Sequence, residues 1–191
     1  CALDIVGATF IREVENGEII VIEDNKMSSI KPFPKQKARP CIFEYIYFAR
    51  PDSIIDGKCA YEYRKNFGKQ LAKETDIKAD IVVPVPDSGV PAALGYAEHS
   101  KKPFELGLIR NHYVGRTFIE PTQNIRSLGV KLKLSSTKSI VENKSIILID
   151  DSLVRGTTCH KIIKMLYEAG AKEVHVRIAC PQIKFPDFYG V

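Results

Sequence analysis

The stretch from residue 146 to residue 158, IILIDDSLVRGTT, constrains the fold of this chain more than any other. It begins with four apolar residues, Ile146 to Ile149, which are too few for a helix and show no polar alternation. That composition is typical of a strand buried on both faces of a parallel sheet. Beyond the turn, apolar residues recur at helical spacing, and Gly170 stands where a C-terminal cap belongs. The residues of this apolar stripe are Cys159, Ile162, Ile163, Leu166 and Ala169.

The turn between that strand and that helix combines two carboxylates, Asp150 and Asp151, with a glycine and hydroxyl groups. Free backbone N–H groups and the dipole of a helix N-terminus favour a phosphate, and Gly156 lets the backbone approach it closely. The carboxylates would repel that phosphate, so we expect them to organise a divalent cation or to bind sugar hydroxyls. One Asp could simply cap the helix, but two before Gly-Thr-Thr favour a ligand with a phosphate and a hydroxylated, metal-bound centre. A Walker-type nucleotide loop is excluded because no Lys follows the glycine.

A second stretch repeats this order of strand, polar turn and helix. Residues 81–85 predict a buried strand, and Pro91 is placed as the N-terminal proline of a helix over residues 91–99. The turn between them, residues 86–89, offers backbone N–H groups and the Ser88 hydroxyl to a diphosphate, although a simple αβ connection is the alternative. Ligands bind at the carboxyl ends of parallel strands. We therefore expect four side chains to converge there: Ser88, Asp150, Asp151 and Thr157.

Residues 110–137 show no sustained period and mix glycine, proline and basic residues. An irregular stretch of this length inside a compact domain is usually functional or disordered. We expect a mobile lid that brings cations over a phosphorylated substrate and excludes water. The side chains that suggest this lid are Arg110, His112 and Arg116, beside Tyr113 and Gly115.

Shorter patterns predict the remaining elements. A strand over residues 19–22 follows the Asn16-Gly17 turn, and residues 31–40, rich in proline and basic residues, are typical of a linker. The aromatic and apolar residues 41–49 predict a buried strand, ended by a turn at residues 50–53. Further predictions are a helix over 59–75 with Ala60, Tyr63, Phe67 and Leu71 facing inward, a strand over 105–109, and a strand over 173–179 near the sheet edge.

The composition limits the class of protein. At 191 residues, 45% hydrophobic and 27% charged, the chain has the size and composition of about one soluble globular domain. No apolar run approaches the roughly 20 residues of a membrane span. Five cysteines without a CxxC pair indicate neither zinc nor a disulfide framework and favour a reduced, cytoplasmic setting. The net charge of +5 suits a polyanionic small substrate. The basic cluster Lys131, Lys133 and Lys138 has no interleaved aromatic residues, which argues against nucleic acid.

The central stretch resembles the 5-phosphoribosyl 1-diphosphate (PRPP) binding motif of the type I phosphoribosyltransferases. Three further stretches, with the central one, make the chain similar over its whole length to the glutamine PRPP amidotransferase (amidophosphoribosyltransferase) family. They are ARPDSIIDG at 49–57, VPVPDSGVPAALGYA at 83–97 and RNHYVGRTFIEPTQ at 110–123. The resemblance implies an α/β protein of the type I phosphoribosyltransferase fold, with a parallel sheet flanked by helices and a mobile lid loop.

The resemblance also implies where the ligands bind. The magnesium ligands fall on Ser88, Asp150 and Asp151, and the closing loop falls on residues 110–118. Its catalytic side chains would be Arg110, His112, Tyr113 and Arg116. The PRPP contacts would come from a diphosphate loop, the acidic pair and a 5-phosphate loop, namely Pro86, Asp87, Ser88, Gly89, Asp150, Asp151, Ser152, Val154, Arg155, Gly156, Thr157 and Thr158.

The same resemblance divides the chain. Residues 1–30 match the end of an N-terminal glutaminase domain, residues 31–40 a linker, and residues 41–191 a phosphoribosyltransferase domain without its C-terminal part. An N-terminal Cys can be a nucleophile, but no glycine-rich turn follows Cys1, so we interpret it as a buried or accidental thiol.

Some members of the family hold an iron–sulfur cluster through four cysteines. Cys41 matches the first ligand but Asp187 stands at the second, so the resemblance implies a member without the cluster.

The implied activity is that of a pentosyltransferase, a glycosyltransferase that replaces the diphosphate of PRPP with ammonia. The product would be 5-phosphoribosylamine, the first intermediate of de novo purine (IMP) biosynthesis, with glutamine as the ammonia source in the full enzyme. The resemblance further implies a homo-oligomer and purine nucleotides as feedback inhibitors. One alternative is a salvage phosphoribosyltransferase that acts on a purine or pyrimidine base. The other is a PRPP-sensing regulator without catalysis, against which the acidic pair and the complete lid segment argue.

Overall fold

The computed structural model describes residues 2–112, 133–182 and 184–185, and its internal contacts divide the chain into two units, Cys1–Ile42 and Phe43–Val191. The expectations for Cys1, Tyr113, Arg116 and Asp187 fall outside the described residues. The assignment of residues 1–30 to a glutaminase domain stays a prediction. Within the described ranges, no helix combines the length and the apolar composition needed to cross a membrane.

The first unit contains a short helix α1 (Ala2–Ile5) and a hairpin of β1 (Ile19–Glu23) with β2 (Lys26–Ile30). The predicted strand over 19–22 is therefore confirmed. Its partner β2 was not predicted, because the polar sequence KMSSI shows no strand pattern. Asp24 and Asn25 connect the strands with φ of 48° and 57°, the left-handed pair that a tight two-residue hairpin turn needs. Residues 31–40 form neither helix nor strand, and their role as a linker stays a prediction.

The second unit follows the predicted alternation of strands and helices. It begins with a π-helical turn (Glu44–Phe48) and a short hairpin, β3 (Ile54–Ile55) with β4 (Lys58–Cys59). The remaining elements are α2 (Ala60–Glu74), β5 (Ile81–Pro84), α3 (Val90–Ser100), β6 (Leu108–Arg110), β7 (Leu134–Ser136), α4 (Lys138–Val141), β8 (Ser145–Asp150), α5 (Thr157–Glu168) and β9 (Glu173–Ile178). Gly170, with φ of 94°, follows the end of α5 at the predicted capping position.

A parallel sheet with the order β5–β8–β9 forms the centre of the described part of this unit. Alternate residues of β8 face opposite sides, so one strand serves two hydrophobic clusters. Ile146 and Leu148 pack with Ile162 and Leu166 of α5. On the other side, Ile147 and Ile149 pack with Val82 of β5 and with Ala92 and Tyr96 of α3. This two-sided burial confirms the α/β fold class and explains why residues 146–149 carry no polar side chain.

Helices α2 and α3 approach so closely that their contact requires glycine. A Cβ added at Gly68 would lie 1.8 Å from the carbonyl oxygen of Ala92, and one at Gly95 would lie 1.9 Å from that of Lys65. The predicted helix over 59–75 is confirmed. The residues that we predicted to face inward are only partly confirmed. Ala60 is buried as expected, whereas Tyr63, Phe67 and Leu71 are half-buried; the fully buried row is Ala60, Arg64 and Gly68.

The predicted strand over 41–49 is wrong, because these residues form a helical turn whose carbonyl groups bind Arg64. Nε of Arg64 donates to the carbonyl oxygen of Tyr45 at 2.9 Å, and Nη2 donates to that of Ala49 at 2.6 Å. The Tyr45 ring packs edge-on against the Tyr63 ring, with centroids 4.7 Å apart. These tertiary contacts override the strand preference of aromatic residues.

The region around β6 also differs from the prediction. The strand begins at Leu108 rather than at residue 105, and before it Phe104 makes an isolated parallel bridge to Val82 of β5. β7, which pairs antiparallel with β6, lies inside the stretch that we expected to be irregular. Its three residues, LSS, are too few to show an alternating pattern.

We predict that Gly95→Ala destabilises the protein, although alanine is the better helix former. An exposed Gly→Ala change in a helix stabilises by up to about 1 kcal/mol. At Gly95 the added methyl group meets backbone rather than a side chain, so the helices must separate, at a cost of about 1–3 kcal/mol. The measurement is urea-induced unfolding followed by circular dichroism. The control is Asn66→Ala, at an exposed position of α2, which should be neutral or slightly stabilising; a stabilised Gly95→Ala variant would contradict the close approach of the helices.

Candidate functional site

Two polar turns leave the parallel sheet at the same edge. β5 and β8 are adjacent and parallel, with Ile81 opposite Ile146 and Pro84 opposite Ile149. The turns that follow them are therefore neighbours, and Oγ of Ser88 donates a hydrogen bond of 2.8 Å to Oδ1 of Asp151. The expected convergence is confirmed for these two side chains.

The first turn is anchored to the second strand by its backbone. The N–H of Val85 donates to the carbonyl oxygen of Ile149 at 2.8 Å, and the N–H of Gly89 donates to that of Val85 at 2.9 Å. A Cβ at Gly89 would lie 2.5 Å from the Ile149 oxygen, so only glycine permits this approach. The peptide bond between Pro86 and Asp87 is cis. The hydrogen bond of Val85 and the close approach of Gly89 hold the turn against the end of β8.

The acidic pair is held by both its backbone and its side chains. The N–H groups of Ala179 and Cys180 donate to the carbonyl oxygens of Asp150 and Asp151 at 2.9 and 2.8 Å. Asp151 is only 7% exposed, and its second oxygen accepts a hydrogen bond from the Ser152 hydroxyl at 3.0 Å. Asp150 accepts from the N–H of Asp151 at 2.9 Å. Hydrogen bonds from the protein itself therefore fix the position of the pair.

The second turn leads into α5 and is open to solvent. Gly156 precedes the helix with φ of 72°, and a Cβ there would meet nothing within 4 Å, so its backbone conformation rather than crowding favours glycine. No side chain of the described residues caps this helix. Its first N–H groups therefore face a turn whose side chains are mostly exposed: Val154, Arg155, Thr157 and Thr158. Among the described residues, no side-chain hydrogen bond joins Thr157 to Ser88 or to the acidic pair, so the convergence of Thr157 stays a prediction.

The start of the predicted lid lies beside the first turn. Arg110 ends β6, and Nη1 of its guanidinium donates to Oδ2 of Asp87. Asn111 and His112 follow, and His112 is exposed. The remainder of the predicted lid, residues 113–118, lies outside the described residues. The structure therefore links Arg110 to the site, and the roles of His112, Tyr113 and Arg116 stay predictions.

Residues 60–183 match the family described as phosphoribosyl transferase domain. That match includes both polar turns, the acidic pair and more than half of the chain. The chain belongs to the phosphoribosyltransferase domain family.

Relatives of this phosphoribosyltransferase chain are named amidophosphoribosyltransferases. The chain is 61% identical to the one from Rhizobium etli and 53% identical to the one from Bacillus subtilis, in both cases over all of its own length and 40% of theirs. Among solved structures it is similar to the glutamine PRPP amidotransferase of B. subtilis complexed with ADP and GMP. That similarity has a TM-score of 0.88 and 53% identity, and it covers the whole chain and 42% of the solved one. The chain thus spans well under half the length of these relatives.

The electrostatics of the phosphoribosyltransferase site centre on Asp150. Burial, then a hydrogen bond that the protonated Asp150 donates to the Asp151 carboxylate and then the negative charge of Asp151, raise the pKa of Asp150 from 3.8 to about 8. The site therefore favours the protonated form of Asp150 more than water does. A bound cation would reverse this, because it attracts the ionised form.

The donor set of the site fits magnesium better than a softer metal. Its candidate ligands are all oxygens, from Asp150, Asp151 and Ser88, which is the chemistry that Mg²⁺ prefers. Among the described residues, no cluster of three or more His, Cys, Asp or Glu side chains could hold a metal alone. Mg²⁺ commonly binds through one or two carboxylates together with substrate phosphates and water. Two carboxylates are therefore enough if the substrate completes the coordination.

Sequence reasoning missed one charged residue near the site, Arg64. Its side chain is 6% exposed, and burial lowers the pKa of its guanidinium while the charge of Asp151 partly opposes that shift. Arg64 thus contributes a buried positive charge, and this charge interacts with the carboxylate of Asp151. The sequence could have indicated its burial, because Arg64 lies four residues after the buried Ala60 and therefore on the same face of the helix.

We predict that Asp150→Asn flattens the pH dependence of stability. A carboxyl group whose folded pKa is raised contributes stability that is full below its unfolded pKa, near 3.8, and is lost as pH rises toward 8. The wild-type chain should therefore lose stability between pH 5 and pH 8, by an amount on the order of a few kcal/mol. The Asn variant should lose much less. Urea midpoints at several pH values, with a chelator present, measure this difference.

The matched control for that experiment is Asp76→Asn, which alters an exposed carboxylate two residues after the end of α2. Its pH dependence should follow that of the wild-type chain. Parallel stability curves for the Asp150→Asn variant and the wild-type chain would show that Asp150 is ionised in the folded protein.

Proposed function

We propose that this chain is the phosphoribosyl-transferring part of an amidophosphoribosyltransferase, which joins ammonia to C1 of PRPP and releases diphosphate. The observation that carries the proposal is the similarity to amidophosphoribosyltransferases, which extends over the entire chain at 61% identity in the R. etli relative. A likeness limited to the PRPP motif would support only the broader family. The contact between Ser88 and Asp151 adds a physical argument, because it joins the two turns that a phosphate–sugar–diphosphate ligand would need.

Each part of PRPP has a chemically suited partner in the site. The 5-phosphate suits the turn at 152–158, because backbone N–H groups at the start of α5 and exposed hydroxyls are donors to an anion. The diphosphate suits the turn at 86–89 together with Arg110. The ribose hydroxyls suit the acidic pair, and Asp150, Asp151 and Ser88 would hold Mg²⁺ with oxygens of the substrate. When bound, Mg²⁺ neutralises part of the charge that develops on the leaving diphosphate.

The reaction requires little covalent chemistry from the protein. The bond from C1 to the diphosphate oxygen breaks with its electron pair, and the lone pair of ammonia forms the new bond to C1. The ammonium product then loses a proton to solvent. The ring is positively charged in the transition state, so the carboxylate of Asp150 or Asp151 near the ribose stabilises it, while Arg110 stabilises the leaving diphosphate. Closure of the segment after Arg110 would exclude water.

The wider setting is proposed on the same grounds. The glutaminase tail at 1–30 would belong to a domain that supplies ammonia from glutamine, and the pathway would be purine biosynthesis. Purine nucleotides would act as feedback inhibitors of a homo-oligomer; the B. subtilis relative was solved with ADP and GMP. A cytoplasmic setting rests on the four cysteines that the structure describes as free, Cys41, Cys59, Cys159 and Cys180. Cys41 is exposed, and a member without an iron–sulfur cluster remains the expectation.

We predict that the purified chain makes phosphoribosylamine from PRPP and ammonia but not from glutamine. Glutamine chemistry needs a nucleophile with an adjacent base and an oxyanion hole, and the sequence after Cys1 offers no such turn. The rate should rise with pH toward the pKa of ammonium, because only unprotonated ammonia has a free lone pair. Diphosphate release is measured with each nitrogen donor in turn. Adenine, hypoxanthine and uracil serve as controls, since release with a nucleobase instead of ammonia would favour a salvage enzyme.

We predict that Asp151→Asn lowers turnover about 100-fold or more while leaving the fold intact. Asn keeps the volume of the side chain and can still accept the hydrogen bond from Ser88, so no cavity forms. It removes the charge needed for a cation and for the oxocarbenium-like ring. Turnover is measured over a series of Mg²⁺ concentrations, and urea unfolding reports stability. Near-native turnover with an unchanged Mg²⁺ dependence would show that Asp151 has no role in metal or substrate binding.

A further inference from the structure

The turn proposed to bind diphosphate contains a carboxylate of its own, that of Asp87. Its neighbour Ser88 is engaged with Asp151, whereas Asp87 accepts a hydrogen bond from Nη1 of Arg110 and forms an ion pair with it. Both partners are placed by ordered backbone. Asp87 lies in the turn anchored to β8 through Gly89 and Val85, and Arg110 is paired with Leu134 of β7.

This ion pair places a negative charge where a polyanion is proposed to bind. The repulsion between Asp87 and a diphosphate bound at the same turn would be strong at contact distance. A turn used only to attract diphosphate would be better served by an uncharged residue at position 87. A carboxylate at position 87 is compatible with diphosphate binding if Arg110 can exchange one of these partners for the other.

The contact is suited to exchange because it is weak and incomplete. The Arg110 side chain is 35% exposed and that of Asp87 is 58% exposed, so water can solvate both groups when they separate. Nε of Arg110 is buried and has no hydrogen-bond partner among the described residues. Asp87 thus leaves donor capacity of the guanidinium unused. A diphosphate has more acceptor oxygens and more negative charge than one carboxylate, so it is the stronger partner.

We propose that Asp87 is a competing counter-ion for the diphosphate group: Arg110 pairs with Asp87 in the ligand-free site and exchanges it for diphosphate on binding. This inference rests on the proposed function and deepens it by assigning Asp87 a role distinct from that of Ser88. Asp87 is a positioning residue, since it acts through Arg110. It holds the guanidinium at the turn in the free protein, and by taking it back it favours departure of the diphosphate product.

The test is a double-mutant cycle on the affinity for inorganic diphosphate, measured by isothermal titration calorimetry at fixed ionic strength with the full 191-residue chain. Asp87→Asn should bind diphosphate about 3- to 10-fold more tightly than the wild-type chain, because the competitor is removed. Arg110→Gln should bind about 10-fold more weakly. In the Arg110→Gln background, Asp87→Asn should change the affinity less than about 2-fold, since no shared partner remains.

The matched control is Asp52→Asn, which removes an exposed carboxylate from another aspartate–arginine pair, that with Arg50. It should leave diphosphate affinity unchanged. Asp87→Ser provides a second variant without the carboxylate, so a folding defect of one substitution does not decide the result. Thermal unfolding of each variant confirms that the compared proteins are folded.

The outcomes separate this inference from the proposed function. An unchanged or weaker affinity of both Asp87 variants overturns the inference, and so does an equal gain with and without Arg110, which would indicate simple repulsion at a distance. A wild-type chain that binds no diphosphate also overturns it. The proposed function is tested separately by ammonia-dependent release of diphosphate from PRPP, which an uninvolved Asp87 would not prevent.

Discussion

The parallel pairing of β5 with β8 is the constraint on which the site depends. Parallel neighbours end at the same edge of a sheet, so their turns must emerge side by side. The backbone bond from Val85 to Ile149 and the close approach of Gly89 then bring the turns into contact. Ser88 and Asp151, 63 residues apart in the chain, meet for this reason. Helices α5 and α3 pack on opposite faces of the sheet and bury β8 between them, so the acidic pair is held at the end of a buried strand.

The side chains of the site do not balance the negative charge of its two carboxylates. Two adjacent carboxylates, one of them Asp151 with little exposure, are costly to ionise together. The raised pKa of Asp150 expresses that cost, and the buried guanidinium of Arg64 interacts with Asp151. At the open start of α5, by contrast, N–H groups and hydroxyls offer donors to an anion. The carboxylates suit a magnesium ion, and the neighbouring N–H and hydroxyl donors suit a phosphate. The two groups together therefore suit a magnesium–phosphate ligand.

Arg64 connects this electrostatic arrangement to the fold. Its guanidinium binds the carbonyl oxygens of Tyr45 and Ala49, and its helix packs on α3 through Gly68. A buried cation bound to carbonyl oxygens holds a neighbouring segment in place without being neutralised by it. The positive charge therefore remains available to act on Asp151. Packing and charge are coupled here because the same buried helix face provides both.

The sequence by itself determined the parts of this protein that depend on local composition. Unbroken apolar residues at 146–149 and 81–85 specified buried strands, the helical spacing after Thr157 specified α5, and glycine- and proline-marked turns located the two polar turns between them. The repeated order of strand, polar turn and helix predicted that Ser88 and Asp151 lie close together, as their hydrogen bond confirms. These inferences hold because burial on both faces of a strand, or on one face of a helix, leaves its pattern in consecutive residues.

Only the tertiary structure decided what depends on partners distant in the chain. Residues 41–49 have the composition of a strand, yet the guanidinium of Arg64 binds their carbonyl groups in a helical turn. The buried row of α2 runs through Arg64 and Gly68 because α3 approaches too closely for any side chain at Gly68. The ion pair of Asp87 with Arg110 and the raised pKa of Asp150 arise from distances and burial that no local pattern encodes. Such features are set by which surfaces meet, and a sequence pattern records only that a surface is apolar or polar.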